Sequence, residues 1–158
     1  MLIGILYNIR SVYNVGSIFR SADGAGINAL YLCGITPTPL DRFGNKRSDF
    51  IKTSLGAEDS ITWKHFPSQE DILSMLQELS QKGFSLISIE QTSTSIPLYS
   101  YTPEKNVAFI VGNEVEGIPE FLYSQTGTHL HIPMRGQKES LNVSVAFGIA
   151  SYYLSGEK

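Results

Sequence analysis

A carboxylate stands between two glycines in the stretch FIVGNEVEGIPEFLY, residues 109–123. An apolar run typical of a buried strand ends here at Gly112, and Pro119 then opens a short helix. Glycine lets a ligand approach the backbone, and the carboxyl ends of strands are where α/β proteins present functional groups. Gly112 and Glu114 therefore form a candidate binding site, although an ordinary strand–turn–helix connection has the same pattern.

A second stretch, NIRSVYNVGSIFRSADGAG at residues 8–26, places an amide and a guanidinium on one predicted helix. The helix starts near Asn14, and the glycines at its far end stop it. Gly16 leaves room for another backbone to approach, and Arg20 lies about two turns from the helix start. A guanidinium is a strong partner for phosphate. The same pattern also fits an amphipathic helix with one exposed arginine.

A third stretch, HIPMRGQKESLNVSVAFGIASYYL at residues 131–154, runs from a charged loop into an apolar helix. Ser140 is a natural helix cap and predicts a helix from residue 140. Asn142 in the first turn is unusual for packing, because a buried amide needs hydrogen-bond partners. The helix beyond it is apolar or small on every side and must be covered on every side. In a domain of this size, that predicts contact with a second protein chain.

Other classes of site lack their sequence patterns. No G-x-G-x-x-G fingerprint for a dinucleotide follows a strand, and no P-loop is present. Cys33 is the only cysteine, which excludes an intrachain disulfide and a cysteine cluster for zinc. No stretch approaches the roughly 20 apolar residues of a membrane span, and the start MLIGILYNIR predicts a strand and not a secretion signal. We therefore expect a cytoplasmic protein without a metal.

The charges are unevenly divided. The net charge is −3, but residues 10–52 hold six basic and three acidic side chains, whereas residues 58–120 hold three basic and ten acidic ones. This asymmetry favours a local basic patch on an acidic body, and solvated loop charges without a partner are the alternative.

Predicted strands and helices alternate along the 158 residues, which indicates one α/β domain. The predicted strands are residues 2–7, 28–33, 61–66, 84–89, 107–112 and 129–132. The predicted helices are residues 14–25, a short one within 46–57, 69–82 with Ser68 as its cap, a short one after Pro119, and the helix from residue 140. Alternation of this kind predicts a mostly parallel sheet with helices on both faces. The loops after residues 89, 112 and 132 should then share one pocket, and loops 34–45 and 91–106 are long enough to be functional.

With the three stretches in this order, the sequence resembles the SpoU (TrmH-like) branch of the SPOUT methyltransferases. The resemblance spans residues 8–154. It implies a SPOUT-type α/β knot, with a C-terminal trefoil knot. Many family members carry an extra RNA-binding domain, whereas we expect this chain to be a single catalytic domain over residues 1–158 without one. The resemblance also implies a homodimer whose active site is assembled from both chains. The implied activity is methyl transfer from S-adenosylmethionine to a ribose 2′-hydroxyl of tRNA or rRNA.

The resemblance also implies roles for individual residues. The catalytic set is Arg20, Asn14, Glu114, Ser140 and Asn142. The cofactor-binding set is Ile89, Glu90, Gln91, Gly112, Ile132, Met134, Ser140 and Leu141. The local basic side chains predict an RNA-binding set of Arg10, Arg20, Arg42, Lys46, Arg47, Lys52, Arg135 and Lys138. The family assigns the central role to the arginine, which acts either as a base or, as the permanent charge of a guanidinium favours, as an electrostatic stabiliser.

Two other functions are alternatives to methyl transfer. One is a non-catalytic protein of the same fold that binds RNA or a protein partner, but the residues of the catalytic set are all present. The other is a nucleotide-dependent oxidoreductase, which would need the glycine fingerprint that the sequence lacks.

Overall fold

A seven-stranded parallel sheet forms the centre of the structure, a computed structural model that describes residues 1–156. The strands are β1 (Leu2–Tyr7), β2 (Ala29–Cys33), β3 (Thr62–Phe66), β4 (Ser85–Ile89), β5 (Ile96–Pro97), β6 (Val107–Val111) and β7 (Thr128–His131). Their order across the sheet is β3-β2-β1-β6-β4-β7-β5, and every neighbouring pair is parallel. The predicted parallel sheet is confirmed.

Helices cover both faces of this sheet. They are α1 (Val12–Gly24), α2 (Ser48–Ser54), α3 (Ala57–Ser60), α4 (Gln69–Gln81), α5 (Glu120–Tyr123) and α6 (Val143–Leu154). Apolar residues of α1, α2 and α6 form one core with one side of the strands, and those of α4 and α5 form a second core with the other side. Alternate side chains of β1 pack in the two cores: Leu6 lies in the first core and Ile5 in the second.

Helix α4 begins and ends where its local sequence signals predict. The Ser68 side chain accepts from the Asp71 N–H, and the Asp71 carboxylate accepts from the Ser68 N–H, which completes a capping box. Gly83, with φ +78°, follows the end of the helix in the left-handed conformation that glycine adopts at low cost. The predicted helix, its cap and its stop are confirmed.

Helix α6 begins later than predicted. Asn142 caps it, because its Oδ1 accepts from the Ser144 N–H at 2.9 Å, so the prediction of Ser140 as the cap is wrong. Phe147 and Ala150 on the inner face are fully buried, and Phe147 packs against Phe109 of β6. The expectation of cover on every side does not hold within one chain, since Val145 is half exposed.

Two connections contain more structure than predicted. The 91–106 loop holds β5 and a 3₁₀ turn at Leu98–Ser100. The one short helix expected within residues 46–57 is two helices, because Leu55 adopts a left-handed conformation with φ +51° between them.

The predicted close approach at Gly16 is confirmed: a Cβ there would lie 3.0 Å from the Phe50 carbonyl oxygen of α2.

Candidate active site

The polar stretches meet at one edge of the sheet. Because β1, β6 and β4 are neighbouring parallel strands, the segments that follow them leave the same edge. These segments are residues 8–11, 112–118 and 90–95. The Asn113 amide donates to the Asn8 carbonyl oxygen at 2.9 Å, and the Glu90 carboxylate accepts from the Ile118 N–H at 2.8 Å. Hydrogen bonds thus hold the three segments together.

A chain of side-chain hydrogen bonds joins one residue from each stretch. The Asn14 amide donates to Glu114 Oε1 at 2.7 Å, and the Asn142 amide donates to Asn14 Oδ1 at 3.2 Å. Glu114 and Asn142 are exposed, and Asn14 is half-buried. We call this the Asn14–Glu114–Asn142 cluster. A polar group bound here would meet a fixed carboxylate and oriented amides at the edge where the strands end.

Two asparagines that the sequence analysis did not single out position this cluster. Asn8 has φ +52°, a left-handed conformation that asparagine tolerates, and its Oδ1 accepts from the Ile35 N–H at 3.0 Å. Asn113 Oδ1 accepts from the N–H groups of Val115 and Glu116 at 2.8 and 3.2 Å. The available signal was their place, since each comes directly or one residue after an apolar strand.

The loop from β7 to α6 leaves its backbone polar groups available. Within the described residues 1–156, no hydrogen bond involves a backbone N–H or C=O of residues 133–141. Ile132 packs against the hydrophobic core, as does Ile89 at the end of β4. Ser140 and Leu141 are exposed near the end of the loop. The loop therefore offers free backbone donors and acceptors beside apolar side chains, which suits a flat, partly polar ligand.

The fold of the chain itself requires a glycine at residue 112. A Cβ at this position would lie 2.5 Å from both the carbonyl carbon and the oxygen of Gly117. Segment 113–117 folds back here, with the Gly117 N–H donating to the Asn113 carbonyl oxygen at 2.9 Å. The sequence analysis expected the missing side chain to make room for a ligand. In the structure the missing side chain makes room for the Gly117 backbone.

Arg20 lies apart from the Asn14–Glu114–Asn142 cluster. It follows Asn14 by six residues in α1, which is about 9 Å along the axis and about 240° around it. Its side chain lines an open depression of about 520 Å³, together with Ser17, Ser21, Lys52, Thr53 and Tyr152. Within one chain, the structure thus brings together three of the predicted catalytic residues and places the arginine at a separate depression.

The predicted RNA-binding side chains fall into two groups. Arg10, Lys46 and Arg47 are paired, with Glu116 at 3.5 Å, Asp59 at 2.5 Å and Asp49 at 2.9 Å respectively. The others form no ion pair with the part of the chain that the structure describes; they are Arg20, Arg42, Lys52, Arg135 and Lys138. These five cations are free to meet an anion.

Glu90 holds the second polar stretch in place from a half-buried position. Its Oε2 accepts from the Ile118 N–H, and its other oxygen contacts Gly117. Burial raises the pKa of Glu90, and the hydrogen bond from the Ile118 N–H opposes part of this rise. Glu90 was assigned to the cofactor set, and the structure gives it a definite contact, with the backbone of segment 113–118.

The raised pKa of Glu90 predicts a pH-dependent stability. Because ionisation is harder in the folded chain, the favourable contribution of Glu90 is complete below the ordinary glutamate pKa of about 4.3 and is lost as the pH rises through the folded-state pKa. Glu90→Gln removes this titration. The unfolding free energy of the wild type minus that of Glu90→Gln should fall as the pH rises above the ordinary glutamate pKa of about 4.3. Denaturant unfolding at each pH measures this free-energy difference, and Glu70→Gln on α4 is the control. A difference that does not change with pH would contradict the prediction.

The described residues contain neither a cluster of metal ligands nor a membrane-spanning helix. Residues 1–156 contain no group of three or more His, Cys, Asp and Glu side chains arranged to hold a metal ion. No helix among them has the length and apolar character needed to cross a membrane.

Comparison with known proteins agrees with this geometry. The 23S rRNA (guanosine-2′-O-)-methyltransferase RlmB of Xanthomonas axonopodis pv. citri is 30% identical over 151 residues, which are 96% of this chain and 57% of that protein. The chain thus spans a little over half the length of this relative.

Two solved structures share the fold. An AdoMet-bound rRNA methyltransferase from Sinorhizobium meliloti superimposes with a TM-score of 0.83 at 24% identity, over 97% of this chain and 55% of that one. A protein whose structure concerns 2′-OH methylation of C/U34 on tRNA gives a TM-score of 0.79 at 24% identity, over 98% of this chain and 93% of that one.

The sequence model of one family covers nearly the whole chain. It is described as the SpoU rRNA Methylase family, and it matches residues 1–152. This range includes the first two polar stretches, the third except its last two residues, the seven strands and the cluster that joins Asn14, Glu114 and Asn142. The chain belongs to the SpoU rRNA methylase family.

Proposed function

We propose that the chain transfers a methyl group from S-adenosylmethionine to a ribose 2′-hydroxyl of tRNA or rRNA. The observation that carries this proposal is the Asn14–Glu114–Asn142 cluster, which lies beside the free backbone groups of residues 133–141. Family membership and the activity named for the Xanthomonas relative support it. Residues 1–158 would act as one catalytic domain.

The loops at the sheet edge fit the cofactor. Free backbone donors and acceptors of residues 133–141 would read the adenine edge, while apolar side chains of Ile89, Ile132 and Leu141 would pack beside its ring. The remaining proposed contacts are Glu90, Gln91, Gly112, Met134 and Ser140. Glu90 would act through the backbone of segment 113–118, because one of its oxygens is held by the Ile118 N–H. When bound, S-adenosylmethionine supplies an electrophilic methyl carbon.

The chain's own residues would orient the ribose and manage its charge. The exposed Glu114 carboxylate, fixed by Asn14, is placed to accept a hydrogen bond from a hydroxyl group. Ser140 and Asn142 would position the nucleotide from the loop side. A guanidinium is a poor base and a strong partner for phosphate, so we assign Arg20 to fixing a phosphate and stabilising the developing alkoxide.

A homodimer would complete this site. Arg20 lies at a separate depression in its own chain, and a second chain would bring its own Arg20 to the cluster. Helices α1 and α6 beside that depression expose large apolar side chains: Tyr13 is 56% exposed, Val145 50% and Tyr152 51%. These side chains form a surface suited to the same surface of a second copy. Ala150, in contrast, is fully buried within its own chain and is not part of this surface.

The proposed dimer predicts a clear effect of Val145→Arg. A charge in an apolar contact between two chains is strongly unfavourable, whereas the same side chain is harmless on a free monomer surface. The variant should sediment as a folded monomer at concentrations where the wild type is a dimer. Ile35→Arg changes an exposed apolar residue outside α1 and α6 and is the matched control. A monomeric wild type at micromolar concentration would rule the dimer out.

Two further features follow from the proposal. A trefoil knot formed by the C-terminal segment is supported by the fold shared with solved relatives. A cytoplasmic location is supported by the RNA substrate and by Cys33, a buried free thiol whose pKa burial raises to about 12.

The experiment that tests the function has two arms. Calorimetry with S-adenosylmethionine tests cofactor binding, with NAD as the control ligand. Incubation with methyl-labelled cofactor and bulk tRNA or rRNA, followed by mass spectrometry of nucleosides, tests transfer and identifies the methylated ribose. Cofactor binding and a 2′-O-methyl nucleoside are expected. RNA binding without any cofactor binding would instead favour the non-catalytic alternative.

A further inference from the structure

An exposed aromatic ring stands at the tip of the loop that follows β2. Phe43 is 73% exposed, although phenylalanine is among the residue types most often buried. The guanidinium of Arg42 lies over this ring, with its Cζ 4.7 Å from the ring centroid. This is the geometry of a cation–π contact. One face of the ring is therefore covered by a cation, and most of the ring remains open to solvent.

The turn that carries Phe43 is held in a defined shape. Asp41 Oδ1 accepts from the N–H groups of Phe43 and Asn45 at 2.8 and 2.9 Å, and the Asp41 N–H donates to the Asn45 carbonyl oxygen at 2.8 Å. Gly44, with φ +82°, permits the reversal. The Asp41 carboxylate is engaged with the backbone, and it forms no ion pair with Arg42 in the part of the chain that the structure describes. The loop displays the ring and the cation at a low cost in conformational entropy.

The root of the same loop is tied to the candidate active site. The Thr36 hydroxyl donates to the backbone of β1 at Leu6 and accepts from the Ile9 N–H. Asn8 accepts from the Ile35 N–H through its side chain and from Asn113 through its carbonyl oxygen. These bonds connect the loop to the segments that carry Asn14 and Glu114. The start of the loop, at residues 35–36, is therefore held in place relative to the segments that carry the cluster.

The charged side chains near Phe43 indicate which kind of ligand would stack on its ring. Lys46 and Arg47 near the loop are held by carboxylates, whereas Arg42 forms no ion pair within residues 1–156. A free guanidinium beside an open π face matches a nucleotide, which has a flat base for the ring and a phosphate for the cation. A base inside a duplex is already stacked on both sides and cannot reach the ring.

We propose that Phe43 and Arg42 form a stacking platform for an unpaired base of the RNA substrate. The ring stacks on the base, and Arg42 contacts the adjacent phosphate. This inference rests on the proposed function and extends it, because it places the methylated ribose near a single-stranded loop or end of the RNA and not within a continuous helix. Phe43 belongs to none of the three polar stretches.

The test measures stacking directly. The probe is an RNA hairpin with 2-aminopurine in its loop, whose fluorescence falls when the base stacks, and a fully paired duplex of the same composition is the reference. The wild type should quench the hairpin. Phe43→Ala should weaken hairpin binding roughly 10- to 100-fold and leave duplex binding unchanged. Phe43→Trp should retain binding, and Phe43→Leu, apolar without a π face, should resemble alanine.

Further variants separate the two members of the platform. Arg42→Gln should weaken binding and reduce the slope of log affinity against log salt by about one. Ile35→Ala, an exposed apolar residue of the same loop, is the control and should bind hairpin RNA as the wild type does. In turnover, Phe43→Ala should raise the KM for RNA while the KM for S-adenosylmethionine stays constant.

Three outcomes would overturn the platform. These are wild-type hairpin affinity of Phe43→Ala, an equal loss for hairpin and duplex, or a changed sedimentation coefficient of Phe43→Ala, which would assign the ring to a contact between copies. The proposed function fails separately. A wild type that quenches the hairpin through Phe43 but transfers no methyl group would keep the platform and reject the methyltransferase.

Discussion

Arg20→Ala is expected to leave the affinity for S-adenosylmethionine nearly unchanged and to lower methyl transfer by about 100- to 1000-fold. The residues proposed to hold the cofactor lie within 89–91, at 112 and within 132–141, and Arg20 belongs to none of these segments. Removing it should therefore not disturb cofactor binding. Loss of one oriented charge at a developing oxyanion typically costs about 3–4 kcal/mol of transition-state stabilisation.

Single-turnover transfer to RNA, measured beside a cofactor titration, tests this prediction. Arg20→Lys should restore little, because a point charge does not reproduce the planar fork of a guanidinium. Lys52→Ala is the matched control, since it removes another cation from the same depression and should weaken RNA binding without a comparable loss in the chemical step. Near-wild-type transfer by Arg20→Ala would leave the arginine as a surface residue.

Gly112→Val is expected to cost about 5- to 150-fold in affinity for S-adenosylmethionine. A Cβ at residue 112 would lie 2.5 Å from the Gly117 backbone, a distance that side-chain adjustment cannot relieve. Segment 113–117 must move, and overpacking of this kind costs about 1–3 kcal/mol. The movement would displace Glu114 from Asn14 as well, so transfer should fall further than binding.

Calorimetry with S-adenosylmethionine and a far-ultraviolet circular dichroism spectrum together test the variant. Gly127→Ala is the matched control, because a Cβ at residue 127 meets nothing within 4 Å and its φ is not in the left-handed region. It should bind the cofactor as the wild type does. Unchanged cofactor affinity in a folded Gly112→Val protein would remove Gly112 and its segment from the binding site.

Much of the fold could be predicted because its signals are local. Apolar runs located the strands of the sheet interior, and the Ser68 cap and the Gly83 stop bounded α4. The start of α6 was misplaced because Ser140 and Asn142 are both good caps, and only the observed bond from Asn142 Oδ1 to the Ser144 N–H decides between them. The strand order, with β6 between β1 and β4, depends on packing between distant segments and has no local signal.

Some residues of the candidate site could likewise be predicted from local sequence patterns, and others could not. Asn14, Glu114 and Asn142 were found because each stretch has its own pattern of glycine and polar residues, and the structure joins them. Glu90 was named only through the family resemblance. Its bond to the Ile118 N–H joins two strand ends that are distant in sequence, so no local pattern predicts it. The separation of Arg20 from the cluster arises from the helical rotation between residues 14 and 20, together with the packing of α1 on α2 and α6.

The place of β1 in the middle of the sheet has a consequence during protein synthesis. Leu2 pairs with Val107, so β1 leaves the ribosome and then waits for a partner strand that is made much later in the chain. At about 5–20 residues per second, this wait lasts roughly 5–20 s. During it, β1 can pair with β2 on one side while its other edge stays open to foreign strands. We expect nascent chains stalled before β6 to aggregate or to recruit chaperones, and chains released after it to stay soluble.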